Sequence, residues 1–346
     1  MKPYRLTIIS SAVTALVLIG AYLAAFNYQF GAPIPAGYEL ANWFFLKEDI
    51  AKQASGPRIL LLGDSNVLFG MDSPYIEQKI GRPVVNLGLH GALPLDSILD
   101  VASRNARPGD TVILPIVWDY YIRDYKVPTK WLIDQVVAWH SSYFAGLGLK
   151  RKIEFYKSIS LTDLMNNLST KFNKEAVLKE NPLRELSSPS EALANYKKNS
   201  NAQNDFSYSY LNMNDHGDML HACGVRISAS AANYLVPKST SSINRTSFKF
   251  LVKRIKSLEA RGIHVFVIAP VQVDDTTSQS DWYQAFVNNV WTELRNNGIS
   301  VLGTPNEFNF KPENFFDTDY HLNCDANKDR SERIVKLLVP VLPTLV

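Results

Sequence analysis

The sequence predicts an α/β fold, a doubly wound parallel sheet in three layers, preceded by a transmembrane helix. From about residue 57 onward, short continuous apolar runs of strand length alternate with amphipathic runs of helix length, which is typical of a parallel sheet buried on both faces. The stretch 6–26 carries no charged residue. At about 1.5 Å per residue it reaches roughly 30 Å, the thickness of a bilayer's hydrocarbon core.

The composition is that of a folded domain with nearly balanced charge. Of the 346 residues, 46% are hydrophobic and 20% are charged, which argues against disorder and suffices for one large core with an insertion. The 36 basic residues stand against 33 acidic ones, so no basic surface of the kind that binds nucleic acid is expected. We therefore expect no nucleic-acid partner.

The amino terminus predicts a single-pass anchor, with a cytoplasmic tail at 1–5 and the membrane span at 6–26. Lys2 and Arg5 precede the span, whereas the next basic residue is Lys47. The positive-inside bias then places the amino terminus in the cytoplasm and the rest of the chain in the periplasm or outside the cell. The alternative is a cleaved signal peptide, but its apolar region is usually only about 7–15 residues long, and no Ala-x-Ala site closes this one.

A stalk is predicted at 27–56, between the anchor and the globular domain at 57–346. Two glycines and two prolines interrupt regular structure between residues 31 and 37, and a mixed segment with three aromatic residues follows. Such a segment is expected to lift the domain off the membrane.

The sheet of the globular domain is predicted from five apolar runs, with helices between them. Such sheets place their functional sites at the carboxyl ends of the strands. Two of the clearest helices stop at or near a glycine, as helix ends should. The predicted strands are 58–62, 84–89, 111–116, 264–270 and 299–303, and the clearest helices are about 240–261, 280–296 and 325–339.

Residues 119–239 break this alternation and form a large insertion. It is rich in aromatic residues near its start, including Trp131, Trp139, Tyr143 and Phe144. These rings are expected either to fill a small core of the insertion itself, which we favour, or to form a platform that stacks on sugar rings or rests on the membrane surface.

The most informative motif is Gly63-Asp64-Ser65-Asn66, directly after the first strand and at the start of the next helix. A serine there lies at the carboxyl end of a strand, where backbone N–H groups of the turn can receive an oxyanion. An ordinary tight turn with Ser65 as a helix cap is the alternative interpretation. A serine hydroxyl is a weak nucleophile without a base, and His321, in a loop just ahead of the last helix, is the candidate.

The motifs resemble those of the SGNH (GDSL) hydrolase superfamily, which has a flavodoxin-like three-layer fold. The resemblance covers about residues 57–118 and 240–340, and rests on Gly63-Asp64-Ser65, on an Asn-x-Gly turn at Asn86-Leu87-Gly88 and on a late Asp/His pair. It implies that Ser65 is the nucleophile and His321 the base. It also implies that the Ser65 and Gly88 amides line the oxyanion hole, and that an aspartate, Asp317 or Asp319, orients the histidine.

Two departures from the family pattern matter. The usual late motif is Asp-x-x-His, yet Thr318 stands three residues before His321; we favour Asp317 and leave Asp319 open. The usual third block, Gly-x-Asn-Asp, is replaced by the run 115–119, Pro-Ile-Val-Trp-Asp. The side-chain oxyanion donor is therefore missing or replaced. The candidate substrate contacts are the residues that follow the strands, Asn66, His90, Trp118 and Asp119.

Together with the anchor, these departures resemble membrane-tethered SGNH-like proteins that O-acylate cell-surface polymers beside a membrane-bound O-acyltransferase, such as alginate acetylation proteins and the D-alanyl-lipoteichoic-acid protein. The resemblance implies O-acyl transfer, most simply of acetyl, to an extracytoplasmic polysaccharide without a cofactor. The alternatives are a carbohydrate esterase that releases the acyl group to water, and a non-catalytic subunit that binds or assembles a polymer.

Two further sets of residues resemble metal ligands or a disulfide pair. The stretch 214–221 holds two histidines and two carboxylates, but a solvated turn is favoured over a metal site, and no metal is expected. Cys223 and Cys324 do not have metal-ligand spacing, and in an exported domain they are candidates for one disulfide bond.

Overall fold

The structure is a computed structural model that describes residues 2–200, 205–225 and 237–342. The segments 201–204 and 226–236 of the predicted insertion lie outside the described residues, as does Met1 of the predicted tail. The side chains of Lys2 and Arg5, on which the predicted orientation of the anchor depends, lie outside them as well.

The central sheet has four parallel strands in the order β2-β1-β3-β4. The apolar runs that form them are almost entirely buried, which is why they read as continuous rather than alternating hydrophobic stretches. The predicted α/β class with a parallel sheet is therefore confirmed. The strands are β1 Ile59–Leu61, β2 Val84–Asn86, β3 Thr111–Leu114 and β4 His264–Val267.

The predicted fifth strand, 299–303, is reduced to one parallel bridge between Val267 and Val301. A small second sheet was not predicted: Gln272–Val273 (β5) pairs in parallel with Asn309–Phe310 (β6). Two residues are too few to produce a hydrophobic period, so no sequence pattern marks these strands.

Helices account for most of the remaining described chain. The helices predicted at about 240–261, 280–296 and 325–339 are found at 245–259, 281–296 and 324–338. Polar side chains cap the first and the last of them: Asn244, for example, accepts the amides of Thr246 and Ser247. The α-helices are α1 Lys2–Tyr28, α2 Glu39–Gln53, α3 Ser65–Phe69, α4 Ser73–Ile80, α5 Leu95–Asn105, α6 Asp119–Ile122, α7 Lys130–Ala138, α8 Ser141–Gly146, α9 Leu149–Ser158, α10 Leu161–Phe172, α11 Lys174–Glu180, α12 Pro189–Asn199, α13 Arg245–Glu259, α14 Asp281–Asn296 and α15 Cys324–Leu338.

The chain divides into two compact units. The first comprises Met1–Ala41 and Lys126–Ser187, and the second, which holds both sheets, comprises Asn42–Tyr125 and Ser188–Val346. The predicted insertion is thus divided between them: 126–187 belongs to the first unit, and its two ends, before residue 126 and after residue 187, belong to the second. Its aromatic residues contribute to the core of the first unit, where Phe144 is buried and Trp131, Trp139 and Tyr143 pack against the same cluster.

The predicted stalk at 27–56 is wrong. Residues up to 41 pack in the first unit, where the Gly31 amide donates to the Val137 carbonyl at 2.6 Å. The rest forms α2 in the second unit, and its Lys47 side chain is buried and donates to the Asn86 and Gly217 carbonyls at 2.8 Å each. Glycine and proline mark an irregular backbone, but an irregular backbone can still be buried when its polar groups find partners.

Within the described ranges, helix α1 is the one helix that is long and apolar enough to cross a membrane. Its apolar part, Thr7–Tyr28, has a mean hydropathy of 2.1. Residues 7–21 are all exposed, as expected of a helix whose neighbours are lipid chains. From Tyr22 onward the helix contacts the insertion helices of the first unit.

Candidate active site

Ser65 is the first residue of α3, in the turn that leaves β1. The buried Asp64 carboxylate fixes this turn: one oxygen accepts the Asn66 amide at 2.9 Å, and the other accepts the Val117 amide at 3.0 Å. Asp64 therefore joins the ends of β1 and β3. Among the described residues, neither the amide nor the hydroxyl of the half-buried Ser65 has a hydrogen-bond partner, so both are available to a substrate.

Asn66 does not face a substrate, contrary to the prediction. It is fully buried, and its side-chain amide donates to Asp64 at 2.7 Å and to the Pro115 carbonyl at 2.6 Å. Its side-chain oxygen accepts from the buried Arg330 guanidinium at 2.7 Å. Asn66 instead holds α3 against α15, and so keeps the serine turn rigid.

His321 is held between Asp317 and an aromatic ring of α3. Its Nδ1 lies 2.7 Å from the Asp317 carboxylate, and its ring stacks on Phe69 with centroids 4.0 Å apart and planes 11° apart. Phe69 lies four residues after Ser65, and residues at that spacing are neighbours on one helix face, with Cβ atoms about 5–6 Å apart. The imidazole thus lies on the same face of α3 as the serine.

The structure pairs His321 with Asp317 and not with Asp319, which resolves the alternative left open by the sequence. The one-residue excess over Asp-x-x-His is absorbed in a tight loop, where the Phe316 amide donates to the His321 carbonyl at 2.8 Å. Asp319 is buried with one side-chain oxygen that has no hydrogen-bond partner in the described chain, and burial raises its pKa to about 6.

The Asp317 carboxylate remains a good partner for an imidazolium. Burial by itself raises its pKa, but the hydrogen bond and charge of His321 and the hydrogen bond from the Tyr208 hydroxyl outweigh burial and leave that pKa lowered. Tyr208, in the segment 205–225, also packs its ring on Phe69 at 5.6 Å. The sequence analysis missed this residue, because nothing distinguishes it from the other tyrosines of the chain.

The Gly88 amide, which the resemblance implied as an oxyanion donor, already donates to the Asn86 side chain at 2.8 Å. A side-chain carbon at Gly88 would lie 2.8 Å from the Val67 Cβ, so glycine is needed there for the close packing of α3. Gly91 lies at the site instead. A carbon at that position would be 3.5 Å from the Ser65 hydroxyl oxygen, and among the described residues the Gly91 amide has no acceptor.

The Gly91 turn is held in place from α6. The Tyr120 hydroxyl and the Arg123 guanidinium both donate to the Gly91 carbonyl, at 3.0 and 3.1 Å. Both also donate to the Leu93 carbonyl, at 2.9 and 3.0 Å. Arg123 in turn pairs with Asp119 at 3.2 Å. The predicted contact Asp119 therefore belongs to the group that positions this turn, and burial raises its pKa.

The remaining two predicted contacts differ. His90 lies close enough to His321 that the charge of His321, together with the larger effect of burial, lowers the His90 pKa to about 4; its Nδ1 accepts the Ala92 amide at 3.1 Å. His90 is thus a neutral group next to the site. The prediction for Trp118 is wrong: its side chain is fully buried, and its indole N–H donates to Gln272 at 3.0 Å, so it belongs to the core.

The charged groups of the polar stretch 214–221 each contact a different partner. His216 pairs with Glu77 at 3.2 Å, Asp215 accepts from Tyr196 at 3.2 Å, and the buried Asp218 accepts from Asn86 at 2.8 Å and from the Ser73 hydroxyl at 2.6 Å. Within the described ranges, no group of three or more potential ligands converges on a point.

Cys223 and Cys324 form a disulfide bond, with Cα atoms 4.9 Å apart, which confirms the pairing considered from the sequence. Cys324 begins α15, three residues after His321. The bond therefore ties the segment that carries Tyr208 to the loop that carries the histidine and Asp317.

Compared with models of protein families and with curated proteins, the sequence matches no family model and no curated protein. Its chemistry is therefore argued from geometry. A free serine hydroxyl, an imidazole oriented by a carboxylate, and two free backbone amides are the groups that acyl transfer through a serine requires.

Proposed function

We propose that this protein is an SGNH-type serine acyltransferase that moves an acyl group, most simply acetyl, onto an extracytoplasmic polysaccharide through an acyl-Ser65 intermediate. The observation that carries the proposal is the His321–Asp317 pair, stacked on Phe69 one helix turn from Ser65. A carboxylate alone does not mark a catalytic histidine, since His216 also pairs with Glu77; what distinguishes His321 is the serine on the neighbouring turn, whose hydroxyl has no partner among the described residues.

In the first half-reaction, His321 Nε2 takes the Ser65 proton while the serine oxygen attacks the carbonyl carbon of an acyl donor. The resulting oxyanion accepts hydrogen bonds from the Ser65 and Gly91 amides. As the tetrahedral adduct collapses, the bond to the donor oxygen breaks and the leaving group takes the proton from His321. Asp317 stabilises the imidazolium that exists between these two transfers.

In the second half-reaction, a sugar hydroxyl gives its proton to His321 and attacks the acyl-serine. The ester bond to Ser65 breaks, the serine oxygen recovers the proton, and the acylated sugar leaves. Water in place of the sugar would make the same steps a hydrolysis. The choice of acceptor is therefore the point on which transferase and esterase differ.

The oxyanion would have two backbone donors, because the position of the usual third-block asparagine is occupied by a run whose tryptophan is in the core and whose Val117 amide is taken by Asp64. One feature favours transfer. The chain has an apolar helix long enough to cross a membrane, which favours a role at the cell envelope, beside a membrane-bound O-acyltransferase that delivers the acyl group. The aromatic residues 131–144 give no support for a sugar platform, because they pack in the core of the first unit.

The test uses the full chain in lipid nanodiscs. A serine-directed phosphonate should label Ser65, as mapped by mass spectrometry, and an activated acetyl ester should give acetyl-sugar in excess of free acetate when oligosaccharides are present. Ser65→Ala should abolish both reactions, whereas Ser142→Ala, at an exposed serine, should leave them unchanged. Free acetate as the main product with every acceptor would favour the esterase. Polymer binding without any labelling would favour the non-catalytic subunit.

A further inference from the structure

The outer end of α1 is enclosed in protein. Phe26 is fully buried, and its ring packs on Phe144 and Tyr156 with centroids 5.4 and 4.6 Å apart. The next turn is fixed by polar contacts: Asn167 donates to the Gln29 side chain at 2.9 Å, and Lys171 donates to the Phe30 carbonyl at 2.7 Å. This part of the helix belongs to the first unit's core and is not surrounded by lipid.

The freely exposed part of α1 is shorter than a bilayer. Exposure on all sides ends at Ala21, so the stretch 7–21 provides only ~15 residues, or roughly 22 Å at 1.5 Å per residue. The hydrocarbon core is about 30 Å thick. If the insertion helices were held clear of the membrane, the span would be short by roughly 8 Å, and the hydrocarbon core would have to reach the turn from Tyr22 to Phe26, which packs on those helices instead.

The same unit carries apolar side chains that face away from its core. On α10, Leu161, Met165 and Phe172 are 69%, 58% and 75% exposed, although each would be stabilised by burial. At 100° per residue they fall on one narrow stripe, next to the buried side of the helix. On α9, Leu149 and Ile153 repeat the same spacing and are 73% and 38% exposed.

The stripe is continuous with the membrane span, and its flanks are basic. The Phe172 ring contacts the ring of Tyr28, the last residue of the apolar helix, at 5.4 Å. Between residues 149 and 174 the chain has six basic and two acidic residues. Exposed apolar side chains flanked by lysine and arginine are typical of helices that lie in the membrane interface and contact anionic head groups.

We infer that α9 and α10 form a membrane collar, the stripe of Leu149, Ile153, Leu161, Met165 and Phe172, that sits in the outer interface of the bilayer around the exit of α1. Interfacial helices bury their apolar face by about 5–10 Å. That depth supplies what the exposed part of α1 lacks. Lipid thus covers the stripe, and α9 and α10, which lie far from α1 in the sequence, complete the membrane anchor.

The test measures depth with fluorescent labels on single engineered cysteines in the full chain, in nanodiscs that contain anionic lipid. Met165→Cys and Leu161→Cys place the label on the collar, and Asn166→Cys places it on an exposed polar position of the same helix, at least about 100° away from the stripe. Labels on the collar should be quenched several-fold more by nitroxide lipids than the Asn166 label, and several-fold less by iodide in the water.

Equal access of iodide to all three labels would overturn the inference. Each labelled chain is first checked for an unchanged melting temperature, and the second collar position guards against damage at one site. A photo-crosslinker at residue 165 in native membranes extends the test: capture of lipid supports the collar, whereas shielding from iodide with capture of a protein would show that the stripe is a protein interface instead. Replacing anionic by zwitterionic lipid should reduce the nitroxide quenching.

Discussion

The imidazole of His321 has one nitrogen committed to Asp317 and one face covered by Phe69, so a single nitrogen is left for proton transfer. At this scale, the function depends on a few atoms whose positions are fixed by hydrogen bonds that run through the core. The buried Asp64, for example, holds the serine turn through two backbone amides at once.

The choice of orienting carboxylate gives the first prediction. Asp317→Asn should lower kcat by about 10³–10⁴-fold, since an amide would favour the wrong tautomer of His321 and would not stabilise the imidazolium. Asp319→Asn should change kcat by less than about tenfold, because the carboxylate that is hydrogen-bonded to the ring is that of Asp317. Initial rates with an activated ester at pH 8 measure both, and a larger loss at Asp319 would reverse the assignment.

A pair of glycines gives the second prediction. Gly91→Ala should lower kcat by about 10²-fold with little change in melting temperature, because the methyl group enters the space beside the Ser65 hydroxyl and perturbs an oxyanion donor. Gly88→Ala should instead lower the melting temperature, since its methyl group collides with α3. Activity assays and thermal melts on the two variants separate these effects; the opposite pattern would return the oxyanion role to Gly88.

Much of the candidate site was visible in the sequence, and the rest depends on tertiary contacts. Ser65 can be recognised because it directly follows the apolar run of β1, and His321 because it lies just before the amphipathic helix α15. The preference for Gly91 over Gly88 as the proposed amide donor cannot be derived from the sequence, because the two glycines lie three residues apart in one loop and only the Asn86 side chain distinguishes them. Tyr208 was missed because its contact with Asp317 joins segments about a hundred residues apart.

At the scale of elements, the loop 315–322 and the start of α15 form a unit that depends on the disulfide. The loop is a narrow hairpin with a bridge between Phe315 and Leu322, and the Cys324 amide donates to the Ala222 carbonyl at 2.9 Å. The bond to Cys223 thus closes a ring of chain with a sequence separation of 101 around β4, α13 and α14.

The third prediction follows from that ring. Replacing both cysteines by alanine should lower the free energy of unfolding of the sheet-bearing unit by about 2–4 kcal/mol, because a long loop regains its freedom in the unfolded chain. Urea unfolding of the full protein measures this, with reductant as a control: it should lower the urea midpoint of the wild type and leave the double variant unchanged. Equal midpoints for the two proteins would contradict the prediction.

The elements themselves were predictable in proportion to their length and pattern. Strands β1 to β4 are predictable because they are continuous apolar runs, and α13 and α14 because their amphipathic patterns end at or near Gly262 and Gly298. The stalk was misread because α2 buries a lysine: Lys47 looks like a solvent residue until its two carbonyl partners are seen. The division of the insertion between the two units is also hidden in the sequence, because the segments that pack together in each unit lie far apart along the chain.

At the scale of the whole molecule, the buried Lys47 makes stability depend on pH, which gives the fourth prediction. Burial lowers the pKa of Lys47 to about 7, against an opposing effect of Asp218, whereas the unfolded lysine has its ordinary value of 10.5. Between these values the unfolded chain binds a proton that the folded chain has released. Lys47 therefore makes the free energy of unfolding rise with pH across that window, by up to about 1.4 kcal/mol per pH unit, and makes no such contribution below pH 7.

The check is the slope of the free energy of unfolding between pH 7 and 9. This slope should be smaller in Lys47→Met than in the wild type by up to about 1.4 kcal/mol per pH unit, the contribution of one proton. The expected difference does not depend on the absolute stability of the variant. Lys174→Met, at an exposed lysine, should keep the wild-type slope. Parallel curves for the wild type and Lys47→Met would show that Lys47 is charged in the folded protein.

Because the first unit combines Met1–Ala41 with Lys126–Ser187, the anchor that we propose would enter the membrane long before its folding partners exist. At about 5–20 residues per second, translation from residue 41 to residue 187 takes on the order of 10 s. During that interval the proposed anchor would have only lipid around Tyr22 and Phe26, so the nascent helix would lie deeper in the bilayer than the folded one. Folding of the later helices would then have to withdraw Tyr22 and Phe26 from lipid, which would make the insertion a participant in membrane assembly.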